Sequence, residues 1–115
     1  MGFIELAAAD DLSEGSMKMV LVEGQEILLA RVGDHYYAVE NRCPHMGGNL
    51  SQGLLEGTVI TCPRHHSQFD LTDGHVIRWT DFGGIKKSIG KLFKSPRPLK
   101  TYPVKVEDGK ILVDL

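Results

Sequence analysis

Asn41-Arg42-Cys43-Pro44-His45-Met46-Gly47-Gly48 and Ile60-Thr61-Cys62-Pro63-Arg64-His65-His66-Ser67 hold the only two cysteines of the chain. In each stretch a proline follows the cysteine and a histidine follows shortly after, as C-x-H in the first and C-x-x-H in the second. Sixteen residues separate His45 from Cys62. Each stretch therefore offers one thiolate and one imidazole from a loop that proline stiffens. Gly47, Gly48 and Gly53 mark residues 41–53 as loop. With two cysteines and no secretion signal, metal or redox chemistry is a better use of the thiols than a lone disulfide.

The flanking segments read as strands. Met17–Val22, Glu26–Val32 and His35–Glu40 are separated by Glu23-Gly24 and Gly33-Asp34. Thr58–Thr61 is a short strand, and Gln68–Leu71 and His75–Trp79 flank a hairpin turn at Thr72-Asp73-Gly74. Tyr102, Val104 and Val106 alternate with polar residues and Pro103, which points to a sheet edge. Asp108-Gly109 turns the chain into Ile111–Val113. This spacing predicts an all-β fold, an antiparallel sandwich or barrel. Phe82–Pro98 breaks the rhythm. Ile85, Ile89, Leu92 and Phe93 follow i, i+4, i+7, i+8, which predicts a short helix weakened at Gly90 and ended by Pro96.

A chain of 115 residues with 42% apolar and 24% charged residues suits one domain with a real core. Apolar runs stop at about four residues, too short to span a bilayer. The N-terminus has no basic stretch before an apolar one, so a cytoplasmic location is expected. A net charge of −2 argues against nucleic-acid binding. That near-neutrality hides an asymmetry, with −6 over the first 40 residues and +6 from Val76 to Lys100. Lys86, Lys87, Lys91 and Lys94 suit a solvated face, a docking patch for an acidic partner, or, less well, contact with anionic lipid.

Two thiolates and two imidazoles suit two kinds of metal centre. Zinc accepts such a set as a tetrahedron, although familiar zinc patterns pair Cys with Cys and His with His. The mixed loops fit a 2Fe-2S centre in which two Cys hold one iron and two His hold the other.

The run from Asn41 to Gly48, with Leu50, Gly53, Ile60 to His65, Phe69-Asp70 and Asp73-Gly74, resembles the Rieske proteins. Tyr37-Ala38-Val39 and Tyr102 to Gly109 extend the likeness to small Rieske-type ferredoxins over nearly the whole chain. The resemblance implies a single domain over 1–115, with a small cluster-binding subdomain carried on an antiparallel sandwich and loops at about 41–50 and 61–70 forming its tip. It implies that Cys43 and Cys62 hold the buried iron and His45 and His65 the outer one, with Gly47 and Gly48 allowing close backbone approach. High-potential members carry an extra cysteine in each loop, where this chain has Gly48 and Arg64. They also use a Ser and a Tyr to hydrogen-bond to sulfur. Ser67 falls at the Ser position, but Phe69 lacks the hydroxyl. A potential toward the lower part of the Rieske range, roughly −150 to +300 mV, is expected.

The function implied is one-electron transfer without catalysis, from a flavin-dependent reductase to a terminal oxygenase or reductase. Two rivals remain. One is the small Rieske-like subunit of a nitrite-reductase-type enzyme, and the other is a zinc-stabilised binding module.

Overall fold

The computed structural model describes residues 2–44, 47–64, 66–79 and 97–115. Its centre is a continuous apolar run. Ile27, Leu28, Leu29 and Ala30 are all buried in strand β3 (Gln25–Val32). Successive side chains of a strand point to opposite faces. Leu28 and Ala30 accordingly enter one core with Val39, Leu50, Ile60, Phe69, Leu71 and Leu99. Ile27 and Leu29 enter another with Ala7, Leu12, Ala38, Ile111 and Val113. A strand covered on both faces has no polar side, which explains the unbroken run.

β3 pairs with β2 (Met17–Val22) and with β4 (His35–Glu40), and β4 pairs in turn with β9 (Thr101–Tyr102). Glu23 and Gly24 both have positive φ, 49° and 82°, which matches the twist a two-residue hairpin needs between β2 and β3. On one face of this four-stranded sheet lies the sheet β1-β11-β10, made of Phe3–Ala8, Lys110–Asp114 and Val104–Glu107. On the other lies a four-stranded antiparallel meander: β5 (Leu54–Glu56), β6 (Val59–Thr61), β7 (Gln68–Asp70) and β8 (Val76–Arg78). The all-β antiparallel expectation is thus met.

Three details refine the sequence reading. The strand expected across Pro103 is two strands, β9 in the central sheet and β10 in the terminal one. Proline cannot donate to a ladder, and its carbonyl instead accepts from the Asp114 N–H at 3.0 Å. β1 and β5 were not expected. A register shift between Glu5 and Ala7 blurs the alternation of β1, and β5 is a short, largely exposed edge. The helix expected over Phe82–Pro98, with Lys86, Lys87, Lys91 and Lys94, lies outside the described residues except for Arg97 and Pro98. Where the description resumes, the Arg97 guanidinium donates to both oxygens of Glu40 at 3.0 and 3.3 Å, and the Lys100 N–H adds a 2.7 Å bond. Among the described residues, no helix is long and apolar enough to cross a membrane.

Because β3 serves both cores, damage to either should reach the other. Leu28→Ala and Leu29→Ala should each cost about 2–5 kcal/mol. Trp79, the single tryptophan, sits in the core of Leu28. In urea, Leu29→Ala should therefore shift the Trp79 fluorescence and far-UV circular dichroism transitions together. A Trp79 transition that stays in place would show two independent units.

Candidate metal centre

Both cysteine loops grow from strands of the cores just described. The first leaves β4 and the second joins β6 to β7. Their backbones repeat one turn. The Cys43 N–H donates to the Gly48 carbonyl at 2.8 Å, and the Gly47 N–H donates back to the Cys43 carbonyl at 2.7 Å. The Cys62 N–H donates to the Ser67 carbonyl at 2.8 Å, and the His66 N–H donates back to the Cys62 carbonyl at 3.1 Å. The residue four past each cysteine is left-handed, with φ of 75° at Gly47 and 63° at His66. The signal was present as Cys-Pro at the same place in each loop. What the sequence did not reveal is that His66 takes the place in the second loop that glycine takes in the first.

Asn41 ties the first loop to β3. It is fully buried. Its amide donates to the Glu26 carboxylate at 2.9 Å and to the Asn49 side chain at 2.8 Å, and its oxygen accepts from the Ser51 N–H at 2.9 Å. Its backbone bonds the Glu26 carbonyl at 3.1 Å and the Leu50 N–H at 2.8 Å. Nothing distinguishes such an asparagine in sequence from an ordinary loop residue. Glu26 also accepts from Arg42 at 2.9 Å. The bonds from Arg42 and then Asn41 hold the Glu26 carboxyl below the usual carboxylate range.

Cys43 and Cys62 are buried in the same apolar core, 3% and 2% exposed. Burial in apolar surroundings disfavours a thiolate, so two sulfurs placed there suit a site where a metal supplies the compensating charge. The loops also meet closely. A Cβ on Gly48 would lie 2.6 Å from Cys62 Sγ and 3.0 Å from Arg64 Cγ. Gly48 thus lets backbone lie against a sulfur where a side chain has no room. Gly48 and Arg64 face one another across the two loops. His45 and His65 lie outside the described residues.

Ser67 is fully buried, and its hydroxyl donates to the Trp79 carbonyl. That contact ties the loop after Cys62 to the end of the meander. Phe69 packs edge-on against Trp79, with centroids 6.3 Å apart. His35 begins β4, and His75 meets the Asp73 carboxylate in the hairpin turn at 2.5 Å.

Comparison with known proteins agrees with this geometry. The Rieske 2Fe-2S domain model matches residues 2–103. The chain belongs to the Rieske 2Fe-2S domain family. A Rieske 2Fe-2S cluster is accordingly its cofactor. Among its relatives is the ferredoxin component of a naphthalene 1,2-dioxygenase system of Pseudomonas putida, 36% identical over 98% of this chain and 95% of the relative. The ferredoxin of carbazole 1,9a-dioxygenase from Nocardioides aromaticivorans superposes with a TM-score of 0.80 at 27% identity, over 98% of this chain and 97% of that one. A ferredoxin solved in complex with the reduced oxygenase of carbazole 1,9a-dioxygenase superposes with a TM-score of 0.77 at 31% identity, covering 96% and 91% of the two chains. The Rieske model ends at 103, yet β10 and β11 continue the fold by pairing with each other and, through β11, with β1.

The two loop glycines should behave differently. Gly47 has open space around its missing Cβ, so Gly47→Ala carries only the strain of a left-handed alanine, about 1–2 kcal/mol, and should keep its iron. Gly48→Ala drives a methyl into Cys62 Sγ and should lose most of its iron and labile sulfide. Iron and sulfide counts on both purified variants check this; full loading of Gly48→Ala would refute the close approach.

Proposed function

We propose that this chain is a one-electron carrier that takes electrons from a flavin-dependent reductase and passes them to the terminal oxygenase of a ring-hydroxylating system. The observation that carries the proposal is the pair of buried cysteines on two copies of one turn, in a chain that matches ferredoxin components along their length. It is an electron-transfer component and not an enzyme.

Cys43 and Cys62 would hold one iron and His45 and His65 the other. The cluster supplies the redox chemistry when bound; the chain's own residues position and shield it. Leu50, Ile60 and Phe69 exclude water from the sulfur side. Asn41 fixes the first loop to β3, and the Cys43 and Cys62 amides are tied within their own loops. The whole chain, 1–115, acts as one cytoplasmic domain. Lys86, Lys87, Lys91 and Lys94 offer charge to an acidic partner and would steer the encounter in a salt-dependent way.

Spectroscopy followed by transfer tests the reading. The purified protein should hold about two irons and two labile sulfides, with a reduced EPR average g at the lower value of mixed His/Cys ligation. Reduced and desalted, it should then give one electron to the oxygenase component of a naphthalene 1,2-dioxygenase system in a stopped-flow experiment. A colourless protein with zinc and no sulfide would establish a binding module instead. Tight co-purification with a large reductase subunit, without electron transfer to the oxygenase, would favour the nitrite-reductase-type role.

A further inference from the structure

The two loops share a feature that the ligand motif does not require. In each, the carbonyl of the left-handed residue four past the cysteine accepts from an arginine. Arg42 Nη1 donates to the Gly47 carbonyl at 3.2 Å. Arg78 Nε and Nη2 donate to the His66 carbonyl at 3.1 and 2.9 Å. The two arginines come from unrelated places. Arg42 immediately precedes the first cysteine, whereas Arg78 ends β8, opposite Gln68 on β7. A repeated turn makes its internal bonds repeat, but it does not make two unrelated segments deliver the same group to the same carbonyl. Arg42 and Arg78 are also both exposed, so neither is there to fill a core.

We propose that Arg42 and Arg78 are a matched pair of positioning residues that clamp the two cluster loops by equivalent carbonyls and raise the reduction potential through their charge. The proposal rests on the electron-carrier reading. Reduction adds one negative charge to the cluster, and a nearby cation stabilises the reduced form more than the oxidised one. The two clamps differ in how much charge they deliver. Arg42 is ion-paired with Glu26 at 2.9 Å, which cancels part of its field. Arg78 has no carboxylate partner among the described residues, and it places two donors on one carbonyl. Arg78 is therefore the stronger contributor to potential, while Arg42 links the first loop through Glu26 to β3.

Mediated redox titration of the holoprotein tests this, with iron and sulfide counted in every variant. At a fixed applied potential, Arg78→Gln should move the ratio of oxidised to reduced protein about threefold toward oxidised, the size expected for one screened surface charge. Arg42→Gln should move it less in the same direction, and Glu26→Gln should move it the opposite way. The double arginine variant should approach a tenfold change, which is 59 mV for a one-electron couple. These shifts should shrink in 1 M salt, where the screening length falls to about 3 Å. Arg78→Lys should restore the potential but lose iron faster to a chelator, because an ammonium cannot reproduce the planar two-donor contact. Lys110→Gln, on β11 in the terminal sheet, is the charge control and should leave the potential unchanged.

Fully loaded Arg78→Gln and double variants with the wild-type potential would overturn the proposal. So would an equal shift from Lys110→Gln, which would reduce the effect to net charge. A wild-type protein lacking iron and sulfide would remove the electron-carrier reading and this proposal with it, and is told apart by the metal count alone.

Discussion

Two sulfurs that are 19 residues apart in the chain must reach one apolar core without their loops collapsing into it. Small loops seldom bury themselves, because their backbone N–H and C=O groups then need partners. Here each loop supplies its own. The cysteine N–H and carbonyl are both bonded across the turn, to positions five and four residues on. Each cysteine can therefore leave water while its peptide groups stay satisfied. The left-handed residue at 47 and 66 closes that circuit, and Pro44 and Pro63 narrow the conformations open to the unfolded loop.

The loops would still be loosely aimed if nothing tied them to the body of the fold. β3 provides the tie in two ways. Its Leu28 and Ala30 lie in the core that holds both cysteines. Its Glu26 carries the carboxylate and the carbonyl to which Asn41 is bonded, and the same carboxylate binds Arg42. A buried asparagine with every bond made is stable, but one partner removed leaves polar groups stranded at a cost of about 1–3 kcal/mol. Such a joint therefore specifies one loop position more than it adds net stability. Since β3 also carries Ile27 and Leu29 into the second core, the loops are referenced to the packing of the whole chain.

What could be seen in the sequence depended on how local the cause was. Met17–Val22 and His35–Glu40 agree with β2 and β4 at both ends, because Gly-containing turns bound them and β-branched and aromatic residues fill them. The repeated Cys-Pro turn was legible for the same reason, since each copy is closed within five residues of chain. β1 escaped notice because its pairing with β11 is set by residues more than 100 positions away, and its bulge breaks the period of two. Pro103 marks a sheet edge in the sequence, yet a sheet-crossing corner needs the tertiary arrangement to be recognised. The Trp79 carbonyl that meets Ser67 is brought near by the β7–β8 hairpin, a partner that position in the motif does not reveal. Asn41, Arg42 and Arg78 act through partners that only the fold assembles.

The division between apolar interior and charged exterior suits a protein that changes charge without changing shape. Apolar side chains and saturated turns respond little when an electron arrives, so the cost of reorganisation is small. The response that does matter is electrostatic, and it can be delivered by groups outside the core. An arginine on a loop carbonyl is suited to this. Its charge stays in water, where it costs little to keep, while the field reaches the loop through a fixed hydrogen bond. Placing the charge inside would demand a desolvation penalty of several kcal/mol per ion. Exposed clamps also leave the potential adjustable by single surface substitutions that spare the packing of Ile60, Phe69 and the two cysteines.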